Sequence, residues 1–416
     1  MNATSVAAVG SQSEAAIERV TGLLLLGFVA ALQISIAAAD ILLAATFVGW
    51  AALLLRDKSR PSAPRFFLPL VVYAVATLIS SAFSTDRATS FIDDKQLVLF
   101  VIVPMVYDLA RGPRASLVVD VIVSVGAASA AYGIIQYGVL HYDNLGRRPE
   151  GALTHYMTYS GIVMLVLCAA MARLLFGVRD RTWPALVMPA LVVALALTFT
   201  RSAWVGAACA VAVLFVLKDF RLTALLPVIV VVAFVLAPQA ITARMSSMFN
   251  AQDPANQDRL AMVEVGARMI AQHPLTGVGP NMVPRVYEQY RPDYAVNPVN
   301  PHLHNVPLQI GAERGLPALA VWLWCIGTLT VSAFRLFRVQ NAAMTEAGRR
   351  PGAAGATAAS DRVLPAAALA AVAAMCAAGF FEYNFGDSEF LMMFLVLATL
   401  PFAAARGTNQ PRDSAA

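Results

Sequence analysis

"PALVMPALVVALALTFTRSAWVGAACAVAVLFVLKDFRLTALLPVIVVVAFVLA", residues 184–237, contains only four charged residues: Arg201, Lys218, Asp219 and Arg221. They fall in two short breaks, "TRS" (200–202) and "KDFR" (218–221), which divide the stretch into apolar segments at 184–199, 202–217 and 222–237. A helix needs roughly 20 apolar residues to cross a ~30 Å hydrocarbon core, and these segments approach that length. Their apolar character is continuous rather than alternating, so the stretch reads as consecutive membrane helices and not as barrel strands.

The rest of the chain follows the same rule. It is 59% hydrophobic and 13% charged, with a net charge of +5 and a mean hydropathy of +0.66. Soluble globular chains carry about twice that charged fraction. Nine further apolar segments, at 20–36, 39–55, 66–83, 96–110, 115–139, 155–176, 316–334, 364–381 and 389–405, complete an expected set of twelve. The fold class is therefore an all-α polytopic membrane protein. Residues 1–237 are expected to hold nine helices, 238–315 a large outer loop with amphipathic helices, and 316–416 three more helices and a tail. Polar residues 1–16 precede the first segment without a small-residue cleavage site, which reads as a retained helix. Cys168, Cys209, Cys325 and Cys376 all lie within apolar runs and share no ligand spacing, as expected of small core residues.

Lys and Arg concentrate in alternate connections: "RDKSRPSAPR" (56–65), "RGPR" (111–114), "GVRDRTW" (177–183), "KDFR" and the region 335–362. The positive-inside rule puts this set, and both termini, in the cytoplasm. Residues 351–360 read as a flexible Gly/Ala linker. All five histidines and the long loop then face outward, in a bacterial inner membrane the periplasm.

Within that loop, "QDPANQDRLAMVEVGARMIAQHPLTGVGP" (252–280) predicts a helix capped by Asp253 and closed by turn residues. Leu260, Val263, Ala267 and Ile270 are expected to form its apolar face. Glu264 and Arg268 are spaced for an i,i+4 ion pair. Arg259 stands near the positive end of this helix, where a cation is mildly disfavoured unless an anion or Asp258 answers it. Arg201, between two apolar helices, must snorkel beside Trp204, pair, or hold an anion. Arg147, Arg148 and His155 lie on the same side, and Tyr287, Tyr290 and Tyr294 allow either a sugar-stacking stripe or ordinary packing.

"NPVNPHLHNVPLQIGAERG" (297–315) holds two of the five histidines. Prolines forbid regular helix before it. Asn305 can then cap a short helix that stops at Gly315. His304 would sit just before a helix N-terminus, whose partial positive charge favours a neutral imidazole suited to general-base work. In an extended chain His302 and His304 could instead ligate a metal, although no third ligand stands at a recognisable spacing. Interfacial packing of both rings is the remaining alternative.

The stretches "TFTRSAW" (198–204), "DRLAMVEVGARMIAQHPLTGVGP" (258–280) and "HLHNVPLQIGAERGLPALA" (302–320) resemble the O-antigen ligase and polymerase superfamily. "RRPEGALTHYMTYSG" (147–161) is closer to its ligase branch. Where the family pattern often has a second glycine, this chain has Ala318. The resemblance implies a glycosyltransferase C-type fold and an inverting, metal-independent transfer without a cofactor. The donor would be a glycan on undecaprenyl diphosphate and the acceptor a sugar hydroxyl of lipid A–core, in a lipid membrane and without nucleic acid. It implies His304 as catalytic base and Arg201 and Arg259 as donor-diphosphate ligands. Arg147, Arg148, His155, His302, Asn305 and Arg268 are further candidates for substrate contact. The only acid in the first outer loop, "AAAD", is Asp40, so arginine is expected to take the place of metal. A polymerase or protein O-oligosaccharyltransferase of the same superfamily shares this layout. A glycolipid transporter would instead call for ionisable residues at mid-span.

Overall fold

The computed structural model describes residues 3–177, 181–347 and 362–408. The expected 351–360 linker lies outside these residues. Among them the regular structure is all helical, apart from a single bridge between Asn144 and Arg147.

The helices are α1 (Ala3–Ala31), α2 (Ile36–Arg56), α3 (Phe67–Ala82), α4 (Arg87–Asp93), α5 (Ile102–Leu109), α6 (Pro113–Gly138), α7 (Tyr156–Phe176) and α8 (Thr182–Leu197). They continue with α9 (Arg201–Lys218), α10 (Leu225–Leu236), α11 (Gln239–Ser246), α12 (Pro254–Gln272), α13 (Val283–Tyr290), α14 (Val306–Ala347), α15 (Val363–Gly379) and α16 (Ser388–Thr408). Among the described residues, six stretches are long and apolar enough to cross a membrane: α2, α6, α7, α9, Val306–Met344 and Ser388–Arg406. Four shorter apolar helices stand beside them, at Phe67–Ala82, Thr182–Leu197, Phe220–Leu236 and Val363–Gly379. The chain is thus a multi-pass, all-α membrane protein, in which helix length and composition single out six of the twelve expected spans among the described residues. The segment at 96–110 is broken into a 3-10 turn (Asp94–Val101) and the short α5. Residues placed before the first span belong to the same continuous helix as the span itself.

Interior position follows from residue size and packing. α7 and α16 are buried on nearly every face, and α15, rich in alanine, packs against α9, α7, α14 and α16. Small side chains let those backbones approach closely, the usual basis of helix association in lipid. α10, by contrast, buries none of its residues. The four cysteines are unpaired, and Cys168 and Cys325 are buried, as small core residues should be.

One end of the bundle is closed by Asp108, which accepts from Trp50 Nε1 (3.1 Å), Arg111 (3.1 Å) and Arg406 (2.6 Å). The other end carries α4, α11, α12 and α13. Here the strap 274–280 lies across α14 like an added layer: Val278 and Gly279 donate to the carbonyls of Ala312 and Glu313, and Leu316 donates to that of Pro274. Ser80 of α3 donates to the carbonyls of Thr276 and Glu313 at 2.7 and 2.9 Å, and Ser90 to that of Pro280 at 2.8 Å. Gly315, at φ 83° and outside helical geometry, divides α14 into a short first helix and a long second one, so the helix that Asn305 caps ends where the sequence expects it to stop. A Cβ there would meet the carbonyl oxygen of Leu275 at 2.3 Å, and one on Gly277 that of Glu313 at the same distance. Two glycines are needed because two backbones touch.

Candidate functional site

The α12 helix forms as expected, with Asp253 accepting from the amide of Ala255. Its buried face is different from the expected one. Ala261, Met262, Val265, Gly266 and Met269 turn inward, whereas Leu260 and Val263 are exposed. Met262, Val265 and Met269 join a local core with Val283, Val286 and Tyr287 of α13. Tertiary packing against α13 and α14 overrides the larger apolar side chains. Asp258, also on the buried face, does not bond Arg259. It accepts from the side chains of Asn297 (2.8 Å) and Asn300 (3.4 Å), tying α12 to the strand-like approach to α14.

Arg259 thereby remains free to turn toward Arg201. Arg201 is the first residue of α9 and is only 5% exposed, which removes the snorkelling alternative. It donates to Ser247 Oγ at 3.2 Å and has Asp253 at 3.6 Å. Its Nε and Nη2 are buried without a hydrogen-bond partner. Arg201, Arg259, Arg148 and Arg244 line one cavity of about 320 Å³, together with Tyr156, Asp258, His304 and Glu382. Burial and the charge of Arg201 lower the pKa of Arg259. The same two causes lower that of Arg148. Arg244, pressed by burial and by Arg201 and Arg148, is lowered to about 10, and its Nε is buried and unpartnered. Crowded guanidinium groups with open donors make a site for an anion with several oxygens.

His304 reaches the same cavity from the other wall. Asn305 caps α14 by accepting from the Leu308 amide at 2.9 Å. His304, one residue earlier, is held at φ 47°, and Phe199 beside Arg201 at φ 54°. Left-handed backbone at bulky residues is costly and tends to be kept at functional sites. His304 Nδ1 lies 3.0 Å from Glu382 Oε2, and His302 Nε2 lies 3.6 Å from Glu382 Oε1. The two rings meet edge to face at 4.1 Å. Burial alone would raise the Glu382 carboxyl, but its hydrogen bond and charge interactions with the histidines hold it below the usual range. Burial pushes the pKa of His302 down to about 4. A carboxylate can only accept, so in the neutral form of the His304 ring Nδ1 would carry the proton and Nε2 would keep its lone pair.

The sequence-derived candidates separate in space. Arg148 lines the cavity with its guanidinium over the Tyr156 ring at 4.2 Å, and His155 stacks on the same ring at 4.9 Å. Arg147 stacks over Tyr142 instead and is not part of the cavity wall. Arg268 stands off it too, bonded to Glu264, as the spacing predicts, and to the Tyr290 carbonyl at 3.0 Å. The Asn305 side chain is taken up by the cap and by the Phe380 carbonyl at 3.1 Å. Tyr287 and Tyr290 are buried at the α12–α13 junction, and Tyr294 lies beyond the helix end, so no aromatic stripe forms.

Two cavity residues escaped the sequence reading. Arg244 sits in the unexceptional stretch "ITARMSS", and Glu382 lies 78 residues beyond His304. Glu382 also supplies what the H-x-H spacing lacked. Ligand atoms of His302, His304 and Glu382 lie within 4.8 Å of one another, close enough for a metal ion. The neighbouring guanidinium groups argue against that use, because a dication would add two charges to a wall that is already cationic.

Residues 186–323 match the family model for O-antigen ligase, and this segment of the chain carries that family's pattern. Arg201, Arg244, Arg259 and His304 fall inside the match, whereas Arg148 and Glu382 lie outside it. No curated protein matches the chain.

Proposed function

We propose that this protein is an O-antigen ligase, moving a glycan from undecaprenyl diphosphate to a sugar hydroxyl of lipid A–core on the periplasmic side of the inner membrane. The observation that supports the reading is one cavity lined by the His304 imidazole and by guanidinium groups with unpartnered donors. Glycosyl transfer from a diphosphate needs both at once.

In the proposed step, His304 Nε2 takes the proton of the acceptor hydroxyl as its oxygen attacks the anomeric carbon. The bond from that carbon to the phosphate oxygen breaks, and the diphosphate leaves with the electron pair. Attack opposite the leaving group inverts the anomeric centre. Arg201 and Arg259, with Arg244 beside them, meet the charge growing on the diphosphate, the role a metal plays elsewhere. Glu382 accepts the Nδ1 proton bond, holds the ring and steadies the imidazolium that forms, as the carboxylate does in a Ser–His–Asp triad.

The test supplies purified protein with lipid-linked glycan and lipid A–core. Product should form only with both substrates, and His304→Ala should lower its rate about 10²–10⁴-fold, the usual contribution of a positioned base. Chain growth on donor alone would instead identify a polymerase. Full activity in the variant would remove His304 from the chemistry.

A further inference from the structure

At the bundle end opposite the cavity, a second depression of about 460 Å³ is lined by Arg65, Tyr107, Ser332, Arg335, Leu336, Phe402 and Arg406 among others. Its depth in the bilayer follows from helix length. At 1.5 Å per residue, the runs Leu316–Arg335 of α14 and Ser388–Arg406 of α16 each cover about 30 Å, one hydrocarbon thickness. Arg335 and Arg406 therefore stand at the far membrane interface, joined there by Arg65 at the entry to α3.

The charges of this depression are not balanced. Arg406 donates to Asp108 and to Ser62 Oγ and lies over the Tyr107 ring at 4.7 Å. Asp108 is shared with Arg111, so one carboxylate serves two guanidinium groups. Arg65 and Arg335 are exposed, and among the described residues neither has a carboxylate partner. The walls also change character with depth. Ser332 and Phe402 lie about one turn closer to the bilayer centre than Arg335 and Arg406, and Phe402 packs on Phe66 at the foot of α3.

We infer that this depression binds an anionic glycerophospholipid, its phosphate between Arg65 and Arg335 and its chain running down past Ser332 and the Phe402 ring. Guanidinium groups at the rim match the phosphate, and the apolar wall beneath matches an acyl chain. A free phosphate would use the first and leave the second empty. In the orientation proposed above, the lipid belongs to the cytoplasmic leaflet, but binding does not depend on the glycosyl-transfer reading.

The experiment uses the full chain in detergent, doped with phosphatidylglycerol, cardiolipin or phosphatidylethanolamine, and reads lipid retention by native mass spectrometry. Anionic lipid should be retained at least tenfold over phosphatidylethanolamine. Arg65→Gln/Arg335→Gln should abolish that preference, and Arg65→Lys/Arg335→Lys, which keeps the charge and guards against a folding defect, should preserve most of it. Glycosyl transfer measured on the same samples separates failure of this site from failure of the proposed reaction. Equal retention of charged and zwitterionic lipid, an unaffected Gln variant, or displacement by inorganic phosphate at equal concentration would each overturn the inference.

Discussion

His304 takes its place from two neighbours of different origin. Asn305 begins a helix and puts His304 at its mouth, which is a local effect of adjacent residues. Glu382, from the α15–α16 connection, then chooses which ring nitrogen holds the proton. Glu382→Gln keeps size and burial but can turn an amide N–H toward Nδ1, favouring the other tautomer. Turnover should fall by about 10² or more while donor affinity changes little, following the precedent of the triad aspartate. Arg244→Ala should show the opposite division, with a raised donor KM and a smaller loss in kcat, because in the proposed reaction its unpartnered Nε would meet the diphosphate and not the attacking hydroxyl. Steady-state kinetics with varied donor checks both. Equal effects on both constants in both variants would dissolve the distinction between the two walls. His304, Arg201 and Arg259 were legible as residues because each is an outlying polar group in an apolar or helical context. Glu382 and Arg244 were not, since a single acid or base in a loop looks like any solvated charge until its neighbours are known.

Among the elements, α14 shows how a loop becomes part of a site. Its kink at Gly315 exposes carbonyls that the strap 274–280 then fills, and the strap in turn anchors α3 and α4. Buried beside the kink, Glu313 and Arg314 pair at 2.9 Å, and Glu313 also accepts from the Val283 amide. Gly315→Val would force a β-branched residue to φ 83° and drive its Cβ into Leu275. Such strain costs about 1–3 kcal/mol before any clash is counted. The variant should unfold several degrees lower in detergent, with transfer activity reduced because His304 leads directly into the helix that ends at this glycine. An unchanged melting temperature would mean that the strap is not held by this contact. Helix positions, the Asp253 and Asn305 caps and the glycine break could be read from order along the chain. The buried face of α12 could not, because the partners that select Met262 and Met269 over Leu260 belong to other elements.

For the whole molecule, the question is what the two histidines and Glu382 do together. The triad could accept a metal by distance, yet His304 and Glu382 share a cavity with four arginines. Activity should survive excess chelator, with no restoration needed from added divalent ions; loss in chelator and recovery with metal would reassign the diphosphate contacts. The apolar runs of the sequence determined an all-α chain built for lipid, because a backbone in hydrocarbon must satisfy its own hydrogen bonds and helices do so locally. Helix number was less secure, since short apolar helices such as α3 and α15 are stabilised by their neighbours rather than by their own length. The cavity was decided only in three dimensions. Its walls come from the 140–160 region, α9, α11, α12, the approach to α14 and the α15–α16 connection. Charges distant along the chain interact only when folding brings them within a few ångströms, so spacing alone could not show which of them meet.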